Sequence, residues 1–105
     1  MSMSREELLQ EHKTLCDSGR WLMGKKNRDY GADTDPFRNF RRFGEHGILV
    51  RMDDKLARLL TFTERGDFEV VSETVEDTVV VLINYAVLFL AYLKDVGKLP
   101  HAKDV

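Results

Sequence analysis

Glu73-Thr-Val-Glu-Asp-Thr-Val-Val-Val-Leu-Ile-Asn-Tyr-Ala-Val-Leu-Phe-Leu-Ala-Tyr92 is the stretch around which the chain has to be built. Its first turns carry Glu73, Glu76 and Asp77. From Val79 onward only Asn84 and the hydroxyls of Tyr85 and Tyr92 interrupt an apolar run. A helix this apolar on nearly every side must be covered by other helices or by a second copy of the chain. At about 100° per residue, Glu73, Asp77, position 81 and Asn84 fall on one stripe. Two carboxylates and a carboxamide on one helix edge suit a hard cation. The same acids equally suit the positive N-terminus of a helix with no ligand at all.

The surrounding segments read as further helices. Ser4-Arg5-Glu6-Glu7 is a capping box. It opens a first helix of about 20 residues, with Leu8, Leu9, His12, Leu15, Cys16, Trp21, Leu22 and Met23 as an imperfect apolar stripe. Ser18-Gly19 is a point where that helix kinks or ends. Gly24-Lys-Lys-Asn-Arg-Asp-Tyr-Gly31 reads as a loop or frayed helix end with a basic centre. Such a loop fits phosphate and base contacts, or simply water. The spacing of a P-loop is absent.

Asp35-Pro36 marks the start of a short helix, expected from Pro36 to about Phe43, with Phe37, Phe40 and Phe43 as core. Arg38, Arg41 and Arg42 lie opposite, to pair with acids or face an anion. A second long helix is expected from Ile48 to about Arg65, burying Met52, Leu56, Leu59, Leu60 and Phe62. Asp54 and Arg58 are four apart and can pair on one face. Gly66-Asp67-Phe68-Glu69 is a turn, and Thr74 with Asp77 forms a second capping box. The third helix should stop near Asp95, before Gly97 and Pro100, with a frayed tail from Lys98 to Val105. The β-branched run Thr78–Val81 mimics a strand, but the apolar segment that contains it is too long for one. The fold class expected is therefore all-α: one domain over residues 1–105, a small bundle of three longer helices and a short one.

The totals narrow the function. A chain of 105 residues has room for one core, and a net charge of -2 gives no general attraction to nucleic acid. One cysteine excludes an internal disulfide framework and fits a reducing, cytoplasmic setting. The start shows no apolar signal segment. The run 79–93 is shorter than the roughly 20 residues of a membrane span, so a membrane role is not expected.

Lys25/Lys26 with Asp29-Tyr30-Gly31, Asp35-Pro36-Phe37 with Asn39-Phe40, Gly47-Ile48-Leu49-Val50-Arg51 with Asp54-Lys55 and Arg58-Leu59, and Glu73 with Asp77-Thr78 and Asn84-Tyr85-Ala86 occur in that order. The ordered set resembles the nucleotide modification associated domain 1 family of phage and bacteria, over roughly residues 20–95. That family is similar to the all-α nucleotide pyrophosphohydrolases, which include MazG-like proteins and dimeric dUTPases. The resemblance implies an oligomeric helical bundle that uses Mg²⁺ to split a dNTP or modified nucleotide into a monophosphate and pyrophosphate. Carried over, it implies metal binding by Asp54, Glu73 and Asp77. Phosphate contacts fall to Arg51, Lys55 and Arg58, with Lys25 and Asn84 also in the nucleotide site and Tyr30 stacking on the base. Glu73 or Glu76 would orient or deprotonate the attacking water.

One departure bears on catalysis. The family pattern has another Asp four residues after Asp77, where this chain has Val81. Losing that oxygen and charge weakens a metal site, and in a two-metal arrangement can abolish turnover. Two further readings therefore stand beside the enzyme: a non-catalytic module that binds or sequesters a nucleotide, and a helical oligomerisation protein.

Overall fold

The computed structural model describes residues 2–30, 35–67 and 73–100. They form α1 (Arg5–Tyr30), a 3₁₀ turn η1 (Arg38–Phe40), α2 (Gly44–Arg65) and α3 (Val75–Asp95). The all-α expectation holds, with no strand among the described residues.

The capping signals are realised. Glu7 N donates to Ser4 Oγ at 3.1 Å, and Ser4 N to Glu7 Oε1 at 3.4 Å. At α3, Asp77 N donates to Thr74 Oγ1 and Thr74 N to Asp77 Oδ2, both at 3.1 Å. These bonds satisfy N–H groups that a helix start otherwise leaves unpaired. The Thr74 N–H, with its hydroxyl, holds the Asp77 carboxyl below the usual carboxylate range. α2 ends at Gly66, whose φ of 82° lets its N–H reach Phe62 O at 2.7 Å. That left-handed backbone strains any residue with a Cβ. α3 ends with Gly97 N donating to Lys94 O and Lys98 N to Leu93 O, the paired pattern of a Schellman turn.

Several expectations need correction. α1 does not end at Ser18-Gly19 or give way to a loop at Gly24; it continues to Tyr30. A single internal glycine costs only about 1 kcal/mol, and Gly19 is held by a tertiary contact described below. The segment after Asp35 is a 3₁₀ turn, not a helix to Phe43. Phe37 is buried and Phe40 half-buried, but Phe43 is 70% exposed. α2 begins at Gly44, earlier than expected, and its Leu56 and Leu60 are exposed. Leu8, Leu9 and Trp21 of α1 are likewise exposed.

α3 is the central element. α2 runs antiparallel to it, since Ile48 packs with Tyr92 at one end while Lys55 and Arg58 meet Glu73 and Thr78 at the other. Ile48, Phe37 and Tyr92 form the core, with the Phe37 ring edge-on to Tyr92 at 5.7 Å. Arg41 lies over both rings and bridges Asp35 to Asp95, pinning the 3₁₀ segment to the end of α3. Just ahead of that turn, Asp35 Oδ1 accepts from Phe37 N at 3.1 Å, a local Asx-type contact.

α1 meets α3 at one close point. Asn84 is buried and its Nδ2 donates to Gly19 O at 3.0 Å. A Cβ at Gly19 would stand 2.7 Å from Asn84 Oδ1. The glycine read as a helix breaker is instead what lets two helices touch.

α3 spans 21 residues with a mean hydropathy of 1.6 over its most apolar window, of which 28% is buried. By length and composition alone it could cross a membrane, a test that the core helix of a globular protein also passes, so this one helix does not make the chain a membrane protein.

Candidate functional site

Two polar clusters flank α2. The first surrounds Glu73. This residue is not part of α3, which starts at Val75, so the stripe running from Glu73 through Asp77 to Asn84 does not form. Glu73 lies ahead of the Thr74 cap and turns toward α2. Lys55 Nζ donates to Glu73 Oε1 at 3.1 Å and to Oε2 at 3.2 Å. Arg58 Nε is 3.1 Å from Oε2, and its Nη2 donates to the Glu73 carbonyl at 2.6 Å. The fully buried Thr78 hydroxyl lies 3.2 Å from Glu73 Oε2 and 2.9 Å from Thr74 O, and accepts from Arg58 Nε at 3.3 Å. The three charged side chains are about one-quarter exposed. Both carboxylate oxygens of Glu73 are thus engaged by cations of α2.

Against the metal expectation, the geometry is plain. Glu73 is held by Lys55 and Arg58, Asp77 caps its own helix, and Asp54 is exposed on α2. Among the described residues no group of three or more His, Cys, Asp or Glu side chains is placed to hold a metal ion. As they stand, Asp54, Glu73 and Asp77 do not fit Mg²⁺, a cation that needs several oxygens converging at about 2.1 Å. Glu76, the other candidate base, is exposed.

The second cluster lines a cavity of about 460 Å³ between the end of α1, the 3₁₀ segment, α2 and α3. Its polar wall is Lys26 and Asn27 from α1, Asn39 from η1, Arg51 from α2, and Asn84 and Tyr85 from α3. Met23, Phe40, Phe43, Val81 and Leu88 supply the apolar part. Among the described residues no acidic one lines it. Neither Lys26 nor Arg51 forms an ion pair among the described residues. Asn27 Nδ2 donates to Pro36 O at 2.6 Å, fixing the mouth of the cavity to α1.

The expected nucleotide-contacting residues therefore divide. Arg51 and Asn84 line the cavity, though Asn84 also carries the helix contact to Gly19. Lys55 and Arg58 belong to the Glu73 cluster. Lys25 is exposed, its Nζ 4.5 Å from the centre of the Trp21 ring. The Tyr30 side chain lies outside the described residues. Lys26, Asn27, Asn39 and Tyr85 are the cavity residues that sequence reasoning did not select. Their signal was available for α1: once the helix is carried through Gly24, Gly19, Met23, Lys26 and Asn27 share one face.

Val81 stands in the cavity wall, 7% exposed. An aspartate there would bring a negative charge into a space otherwise bounded by cations, amides and apolar groups. Comparison of the chain with protein-family models, with curated proteins and with solved structures found no match.

Proposed function

We propose that the cavity binds a nucleotide through its phosphate and base, without metal and without hydrolysis. The observation that carries this reading is the wall chemistry: among the described residues, two cations free of ion pairs, three carboxamides, aromatic rings and no acid. Arg51 supplies a planar fork matched to phosphate oxygens, and Lys26 a second positive charge. Asn27 and Asn39 present donor and acceptor edges suited to a base, and Phe40, Phe43 and Tyr85 offer ring surface. A volume of about 460 Å³ lies within the range of small-ligand pockets.

The lack of a carboxylate separates binding from turnover. Metal-assisted phosphoryl chemistry needs acids beside the phosphates to hold the ion and a base to orient water. Of the candidate acids, Asp77 is committed to its cap, and Glu73 to Lys55 and Arg58. The chain acts in this reading as a module that captures or delivers a nucleotide.

Thermal-shift titration with a panel of nucleoside mono-, di- and triphosphates, in EDTA and again in Mg²⁺, tests it. A bound ligand raises the melting temperature by mass action. A rise in EDTA with at least one nucleotide, and no pyrophosphate released in Mg²⁺, is expected. Pyrophosphate release in Mg²⁺ would return the chain to the hydrolase reading. No shift with any nucleotide would remove both.

A further inference from the structure

The outward face of α1 carries a tryptophan among cations. Gly19 is buried against α3, and Leu15, Leu22 and Met23 on the same side are half-buried. At about 100° per residue, Asp17, Trp21, Lys25 and Arg28 fall on the opposite side, with Arg20 beside them. Trp21 is 65% exposed, although tryptophan is on average well buried. Arg20, Lys25 and Arg28 are exposed as well.

The charge on this strip is one-sided. From Ser18 to Arg28 every ionisable side chain is a lysine or an arginine, in a chain of net charge -2. Arg20, Lys25 and Arg28 form no ion pair among the described residues. Asp17, the acid on this face, is taken by Lys13 at 2.6 Å. The helix dipole favours a cation in the last turn, so it accounts for Arg28 but not for Arg20 or Lys25. Lys25 Nζ sits 4.5 Å from the centre of the Trp21 ring, which holds a cation and a stacking surface together. The whole-chain charge gives no general attraction to a polyanion, but this strip gives a local one.

We propose that Arg20, Trp21, Lys25 and Arg28 form a surface for single-stranded nucleic acid. Trp21 stacks on one base, and the three cations contact the phosphates on either side of it. A membrane surface fits this strip less well. A helix lying in a bilayer interface buries a broad face of several large apolar side chains, and Trp21 is the one large apolar residue on the strip. α1 reaches the cavity through Met23, Lys26 and Asn27, on the other side of the helix from Trp21. The surface is therefore separate from the cavity and independent of what the cavity holds.

Trp21 is the single tryptophan of the chain, so its fluorescence reports on this surface alone. Titration of the wild-type chain with a short thymidine oligonucleotide at low salt is expected to quench it. Binding should weaken as salt rises, with a log–log slope of about -2, the value for roughly three phosphates neutralised on a single strand. Trp21→Ala should weaken binding of a fluorescein-labelled oligonucleotide by about tenfold, the loss of one stacked base, and Arg28→Ala should weaken it severalfold. Both positions are exposed, so the melting temperature should hold. The thermal shift with free nucleotides should be unchanged in Trp21→Ala, because Trp21 does not line the cavity. No quenching, no salt dependence, or full binding by Trp21→Ala would each overturn the proposal. So would a blue-shifted emission with phosphatidylserine vesicles and no response to the oligonucleotide, since the occupant would then be a membrane.

Discussion

Both polar clusters beside α2 contain a lysine and an arginine, and they differ in what answers that charge. Around Glu73, Lys55 and Arg58 are answered from within the chain, by a carboxylate, a backbone carbonyl and a buried hydroxyl. In the cavity, Arg51 and Lys26 face no carboxylate among the described residues. The basic residues of α2 therefore split into a pair, Lys55 and Arg58, that fastens α2 to Glu73, and Arg51, which lines the cavity. What separates them is a single residue, Glu73, which sits before the α3 cap and reaches back to α2. A cation already paired contributes to stability, while one lining a concave wall is left for a ligand.

The sharpest way to break this contrast is to remove the answering charge. Glu73→Gln leaves two half-buried cations facing a neutral amide. It should cost about 2–3 kcal/mol, short of the cost of stranding a fully buried charge. Thermal denaturation would read this as a fall of several degrees. Nucleotide binding at temperatures where the variant stays folded should be unchanged. If binding strengthens markedly instead, Lys55 and Arg58 are ligand groups held in reserve, and the division fails.

Arg51→Ala probes the other side. It should weaken nucleotide affinity by about tenfold to a hundredfold, the worth of a charge-assisted contact to phosphate. Because Arg51 is exposed and holds no ion pair among the described residues, its removal should barely move the melting temperature. Calorimetric titration alongside denaturation separates the two effects. A stability loss as large as that of Glu73→Gln would mean that Arg51 is a fastener too.

How far the sequence carried this picture depends on the residue. Capping boxes at Ser4 and Thr74 and the stop at Gly66 were legible because they rest on local hydrogen bonds between near neighbours. The role of Gly19 was not, because a glycine that breaks a helix and one that admits a second helix look alike until Asn84 arrives 65 residues later. The Glu73 stripe was misplaced for a related reason. A periodicity argument assumes a helix throughout, and the cap at Thr74 leaves Glu73 outside it. Arg51 and Val81, named from the resemblance, both line the cavity, while Lys26 was passed over beside Lys25 because the segment read as a loop. Its place on one face emerges only when α1 is carried through Gly24.

Smaller effects sharpen the comparison at the α3 start. Thr74→Ala removes the side-chain acceptor of the Asp77 N–H and should cost about 1 kcal/mol. The Asp77 carboxyl, held low chiefly by the Thr74 N–H, adds a pH signature. A depressed acid stabilises the fold above its unfolded pKa, and that contribution disappears as pH falls through the lower folded value. Stability should therefore decline as the pH drops below about 4, the ordinary aspartate value. The Asp77→Asn variant should show a shallower decline. Denaturant titrations at a series of acid pH values would reveal the difference, and equal slopes would mean that the cap contributes nothing there.

Backbone amide shifts in a nitrogen-labelled sample, followed during titration with a nucleoside triphosphate in EDTA, test the central claim most directly. The account predicts metal-independent shifts centred on Lys26, Asn39, Arg51 and Tyr85, with Lys55, Arg58 and Glu73 little moved. Shifts centred on the Glu73 cluster, or appearing only after Mg²⁺ is added, would contradict it.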